Sequence, residues 1–222
     1  MFELKKSVVN LTVVGSPNPQ ILTVDFLRDN RIIPENEEPF KQLLSQANPF
    51  TEFISTPLLV KLAFDHIEIT ADAVRIPFVD RKVVDWDSTP IASIGRRYFD
   101  ALRHTPVRLA GFNLTAVLTT DDATTLQALQ ELCLPKNSRI LEIIGQDTVS
   151  ADAVLRYPYS ADGERITLSI RQTAKNKDAF NINLNHEVDF TDWQAFGLYL
   201  ERLGEVGQYF DSILDKISGE AV

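Results

Sequence analysis

From residue 108 to 119, apolar side chains stand at Leu109, Phe112, Leu114 and Val117 in a β-rich run, which predicts a strand. Asp121 or Asp122 then caps a predicted helix whose Leu126, Leu129 and Leu132 recur every three residues until Pro135 stops it. Residues 139–145 and 153–159 read as two strands, and Ala161-Asp162-Gly163 as a turn. Beyond it Ile166, Leu168 and Ile170 alternate with polar residues, and Phe180, Ile182 and Leu184 do the same, so two half-buried strands follow.

The last predicted element is the longest. Thr191-Asp192-Trp193-Gln194 is a capping box, in which the Thr191 hydroxyl and the Gln194 amide satisfy free first-turn amides. Trp193, Phe196, Leu200, Leu203, Gly207, Phe210, Leu214 and Ile217 follow at spacings of three and four, one stripe about 25 residues long. Gly197, Gly204 and Gly207 each weaken such a helix, which points to close approach of another backbone. The stripe suits a helix laid across its own sheet better than a coiled-coil seam. The order is β-α-β-β-β-β-α.

Residues 1–105 follow the same plan. Residues 4–14 form a strand, and 17–30 a helix with Asn18 as cap and Pro19 in its first turn. Residues 33–49 are a polar insertion with two helical turns at 40–46. Residues 58–70 and 73–79 read as a strand pair, and Thr89-Pro90 opens a helix over 91–104.

Sliding the chain against itself supports two copies. Asn10-Leu11-Thr12 meets Asn113-Leu114-Thr115 at a shift of 103. Residues 60–64 meet 166–170, and 72–76 meet 178–182, both at 106. Asp85-Trp86 meets Asp192-Trp193 at 107, and Tyr98-Phe99-Asp100 meets Tyr209-Phe210-Asp211 at 111. The shifts rise slowly and never reverse, as small insertions in a duplicated unit require. The expectation is an α+β chain of two tandem β-α-β(4)-α units, 1–105 and 106–222, with antiparallel sheets each closed by a C-terminal helix. This element order resembles that of the TATA-binding protein, in which two such halves make one curved sheet. The likeness is one of architecture, carries no motif of that family, and implies no function.

Composition narrows the setting. The chain has 222 residues, 44% of them hydrophobic, which supports a real core rather than disorder. A first segment that alternates with polar residues reads as a strand, not a secretory signal, and no long apolar run spans a membrane. One cysteine, Cys133, fits a reducing, cytoplasmic compartment, where the sequons at Asn10 and Asn113 carry no weight. The net charge of −9 opposes nucleic acid and anionic lipid. It is uneven, with 12 basic and 14 acidic residues up to 105 and 10 and 17 after it. Arg165, Arg171, Lys175 and Lys177 form a local basic group, read as a solvated strand and turn.

The catalytic search is negative. No Walker loop, G-x-G-x-x-G, G-x-S-x-G, H-E-x-x-H or C-x-x-C occurs. His66, beside Asp65 and Glu68, and His186, beside Glu187, read as surface histidines at strand ends; His104 closes a helix, where a cation suits the dipole. Cys133 reads as a small core residue. Asp85 and Asp87, with Asp189 and Asp192 in the other copy, could ligate a cation but are better explained as helix caps. Glu35, Glu37 and Glu38 read as a solvated loop. No catalytic, cofactor or metal residue is therefore assigned, and the enzyme question leans to no. The expected function is a binding or assembly protein that offers a sheet face or the C-terminal helix to a protein partner or a second copy. The alternative is a small-ligand protein or enzyme with an apolar pocket between curved sheet and helix, lined by Trp86, Trp193, Phe99 and Phe210.

Overall fold

Burial with a period of two sorts the strands into an apolar face and a polar face. The computed structural model describes residues 2–33, 50–122, 124, 154–161, 164–173 and 178–220. Among these, nine strands form one antiparallel sheet: β1 (Phe2–Gly15), β2 (Glu52–Ser55), β3 (Leu59–Phe64), β4 (Ile67–Asp72), β5 (Arg75–Asp80), β6 (Val107–Thr120), β7 (Val154–Ala161), β8 (Glu164–Gln172) and β9 (Ala179–Asp189). Their order is β2-β3-β4-β5-β1-β6-β9-β8-β7, so the long strands β1 and β6 pair at the centre. The fold is mixed α+β.

On the apolar face lie Val9, Leu11 and Val13 of β1, Phe112, Leu114 and Ala116 of β6, and Ile182 and Leu184 of β9, all buried. The helices α1 (Val24–Asp29), α2 (Ile91–Ala101), α3 (Trp193–Leu200) and α4 (Leu203–Glu220) supply the other side of this core. Phe196, Leu200, Phe210 and Leu214 are buried, so the apolar stripe of α3 and α4 is spent inside the molecule. Four aromatics interlock between the two parts of the chain. Trp86 packs on Phe210 with ring centroids 5.6 Å apart, and Trp193 on Phe99 at 6.2 Å. Lys6 clamps the same corner, bonding Asp211 at 2.9 Å and Asp85 at 3.2 Å over the Trp86 ring. No helix among the described residues is long and apolar enough to cross a membrane.

The structure departs from the predicted elements at several places. Residues 58–70 are a hairpin, β3 and β4, that turns at Asp65 and His66 with Asp65 at φ 49°. The single C-terminal helix is two: Glu201 and Arg202 bond back to Leu198 and Tyr199, tightening the last turn of α3 and ending it. The cap of α3 is Asp192, which accepts from the Ala195 amide at 2.8 Å, rather than Thr191. Residues 17–30 hold a 3-10 turn (Pro19–Ile21) capped by Asn18, then α1 capped by Thr23, and α2 stops at Ala101. The predicted elements at 126–132 and 139–145 and the insertion at 34–49 lie outside the described residues.

Gly204 and Gly207 do mark close approach, though to side chains. A Cβ on Gly207 would lie 2.6 Å from the Trp86 Cβ, and one on Gly204 2.2 Å from an Asp87 carboxylate oxygen. Gly197 faces the Arg96 guanidinium at 3.0 Å, and Arg96 Nη1 donates to the Gly197 carbonyl.

Candidate functional site

The face of the sheet opposite the helices carries a groove of about 510 Å³ across β5, β1, β6 and β9. Alternation places there every second residue of each strand. Asn10 and Thr12 come from β1, Asn113 and Thr115 from β6, and Asn183 and Asn185 from β9, with Val8, Val14 and Leu109 beside them. Register aligns them across the sheet. Asn10 pairs with Asn113, Asn113 with Asn185, and Asn185 with Thr167 of β8. A second row runs Val8, Thr115, Asn183, Ser169.

These amides are only partly used. Thr12 Oγ1 donates to Asn10 Oδ1 at 3.1 Å, Asn183 Nδ2 donates to the Leu114 carbonyl and to Thr115 Oγ1, and Asn185 Nδ2 donates to Glu187 Oε1 at 2.7 Å. The Asn10 Nδ2 and both ends of the Asn113 amide have no partner within the described chain, and the enclosed Asn185 Oδ1 accepts no hydrogen bond. Gly111, between Thr12 and Glu187 in register, leaves a notch where a side chain would press on Glu187 and Asn185.

Several charges on this face are paired with one another. Lys61 bonds Glu52 at 2.7 Å and Glu68 at 3.4 Å, Arg81 bonds Glu68, and Arg75 bonds Asp72. Arg165 bonds Asp189 and lies 3.6 Å from Glu187. The hydrogen bond to Asp189 raises the Arg165 pKa, and the one to Glu52 raises that of Lys61. Most charges on this face are thus paired with carboxylates, and the centre of the floor is a set of amides and hydroxyls.

A second polar group sits on the helix side. His186, expected at the surface, is 3% exposed. Its Nε2 lies 2.5 Å from Glu164 Oε2 and its Nδ1 3.2 Å from the Tyr199 hydroxyl. That hydroxyl donates to the His186 carbonyl at 2.8 Å and accepts from the Phe112 amide, so each ring nitrogen of His186 has a polar partner. Arg202, in the break between α3 and α4, bonds the other oxygen of Glu164. Burial alone would raise the Glu164 carboxyl, but the bonds from Arg202 and His186 outweigh it and hold the group below its usual value. Buried at His186 and open to solvent at Arg202, this cluster ties the α3–α4 corner to the sheet. The signal was available: His186 continues the buried parity of Phe180, Ile182 and Leu184.

The other candidates have local roles. His66 sits in the β3–β4 turn, 2.6 Å from Asp65 and 3.8 Å from Asp80. His104 follows α2 in the turn before β6. Asp85 caps the Trp86–Ser88 turn and pairs with Lys6, Asp192 caps α3, and Asp189 pairs with Arg165. No group of three metal-ligating side chains occurs among the described residues. Of the basic group, Arg171 is exposed on β8, while Lys175, Lys177, Cys133, Glu35, Glu37 and Glu38 lie outside the described residues. Phe99, Phe210, Trp86 and Trp193 pack against one another on the face opposite the groove. No protein-family model matches the chain, and no curated protein matches it.

Proposed function

We propose that the chain is a binding or assembly protein, built from two related halves, that holds a protein partner or a second copy on the open face of its sheet. The observation that carries this reading is the facing pair of unspent amides at Asn10 and Asn113, in a groove that no described helix covers. The C-terminal helix, the other candidate surface, has its apolar stripe committed to the core. The single cysteine supports a cytoplasmic setting.

Strand register supports the duplication, with units 1–105 and 106–222. At the shift of 103, Asn10 aligns with Asn113, and these residues face each other across the central pair, as a two-fold relation requires. Shifting β1 by 103 and β5 by 106 carries Val9↔Asp80 onto Phe112↔His186, the observed β6–β9 register. Counting outward from the centre, β5, β4 and β3 correspond to β9, β8 and β7. The alignment of 60–64 with 166–170 does not follow this scheme, since it sets β3 against β8.

The test is native mass spectrometry of the gently purified chain and of an Asn10→Ala, Asn113→Ala double variant. The wild type should carry a second polypeptide, and the variant should lose it with its melting temperature unchanged. A complex that survives in the variant, or a bare monomer in the wild type, refutes the reading. A mass excess of a few hundred daltons would turn the assignment to a small-ligand protein.

A further inference from the structure

We infer that the groove takes an extended peptide, laid along β6 and β9 and held chiefly through its main-chain amides. This deepens the protein-contact reading above and rests on it. The floor offers donors and acceptors together: free N–H groups on Asn10 and Asn113, and free oxygens on Asn113 and Asn183. A phosphate or other anion calls for donors with positive charge, and a cation calls for acceptors alone. A peptide group presents one of each.

Spacing selects the shape of the occupant. Asn183, Asn185 and Glu187 alternate along β9, and Asn113 and Thr115 along β6, so their polar groups recur every ~6.8 Å. An extended peptide repeats its like-facing groups at that same interval. The two rows stand ~4.8 Å apart, close enough for one chain lying between them to reach both. Three such positions on β9 span about 13 Å, the length of roughly five peptide residues.

The lining argues against the other polar occupants. Lys61, Arg75, Arg81 and Arg165 are engaged by carboxylates, and the exposed Lys5 and Arg171 lie on different strands, so the described residues of this face offer no row of free cations to a phosphate backbone. Among the described residues no aromatic ring lines the groove, so they give bases and sugar rings nothing to stack on. The apolar side chains Val8, Val14 and Leu109 receive peptide side chains, and the notch at Gly111 admits a main-chain bend.

The experiment uses the full chain and a display library of random nonapeptides. Enriched peptides are synthesised and their binding followed by fluorescence anisotropy, with single backbone N-methyl groups placed at each position in turn. Methylation at alternate positions should weaken binding about tenfold in one phase and little in the other, since one main-chain bond to a side-chain amide is lost each time. Asn113→Ala and Asn183→Ala should each weaken it by a similar factor with unchanged far-UV circular dichroism. Failure to enrich any peptide, indifference to methylation or to both variants, or tighter binding of an oligonucleotide or glycan in the same assay overturns the proposal. If the Asn10→Ala, Asn113→Ala variant sheds a partner in native mass spectrometry while no peptide binds, only the extended-peptide inference falls. If the native mass is indifferent to that variant, the wider reading falls with it.

Discussion

Replacing Glu164 by Gln removes one charge from the cluster that pins the α3–α4 corner to β9. The carboxylate receives two charge-assisted bonds, one from His186 Nε2 at 2.5 Å and one from Arg202. A glutamine keeps one acceptor, replaces the other with a donor, and removes the negative charge on which both bonds draw. Bonds to charged groups contribute about 1.5–3 kcal/mol each, and breaking a fully buried pair costs about 3–5 kcal/mol. Glu164 retains 17% of its side-chain exposure and Arg202 40%, so water recovers part of the loss. The expected cost is about 2 kcal/mol, or a fall of about 4–8 °C in melting temperature for a chain of this size. The sign of the pH effect follows from the lowered carboxyl pKa. Its contribution is complete above the unfolded value and is lost as pH falls through the lower folded value. Thermal melts of both proteins should therefore differ most near pH 6 and converge in acid. A shift under about 1 °C at pH 6, or a gap that persists in acid, would falsify the placement of this charge.

Two tyrosines should respond oppositely to loss of the hydroxyl. The Tyr98 hydroxyl is buried without a partner, and burial pushes its pKa above the ordinary range, so Tyr98→Phe is expected to be neutral or to stabilise by up to about 1 kcal/mol. Tyr199→Phe leaves the Phe112 amide and one His186 nitrogen unpaired and should cost about 1–3 kcal/mol by urea denaturation. Gly207→Ala forces a Cβ to within 2.6 Å of the Trp86 Cβ, which cannot swing away. Despite a gain of about 1 kcal/mol in helix propensity it should lower stability by about 1–3 kcal/mol. Gly95→Ala sets its Cβ 2.6 Å from a Leu11 methyl, the end of a side chain in the core, and is expected to cost less than Gly207→Ala in the same assay.

Much of the fold was legible because burial follows period two. β1, β6, β8 and β9 stand where alternation predicts strands, and the caps at Asn18 and Asp85 are where short polar residues precede a turn. The β3–β4 hairpin was hidden inside an apolar stretch, yet a phase slip marks it: Val60, Leu62 and Phe64 are buried at even positions, Ile67 and Ile69 at odd ones. The break between α3 and α4 leaves no such mark, because the apolar stripe stays in phase across Glu201 and Arg202. What ends α3 there accompanies a bond from Arg202 to Glu164, 38 residues away. The groove was invisible for a related reason. Asn10, Asn113 and Asn185 each sit at a polar position that any solvated strand face would show, and only strand register sets them side by side. Pattern tells which residues share a strand's face; it does not tell which strands are neighbours.

The central pairing also sets a timetable for biosynthesis. β1 lies between β5 and β6, and β6 begins at Val107, so one side of β1 stays without its hydrogen-bonding neighbour until that stretch leaves the ribosome. With β5 complete at Asp80 and β6 at Thr120, the wait is roughly 2–8 s at ordinary rates of elongation. During that interval a nascent chain displays a long, flat β1 edge with Val9, Leu11 and Val13 uncovered, a template for pairing with another nascent chain. Production of this protein is thus most vulnerable at a point when less than half the chain past the central junction has been made, and slowing translation between residues 80 and 120 lengthens the exposure.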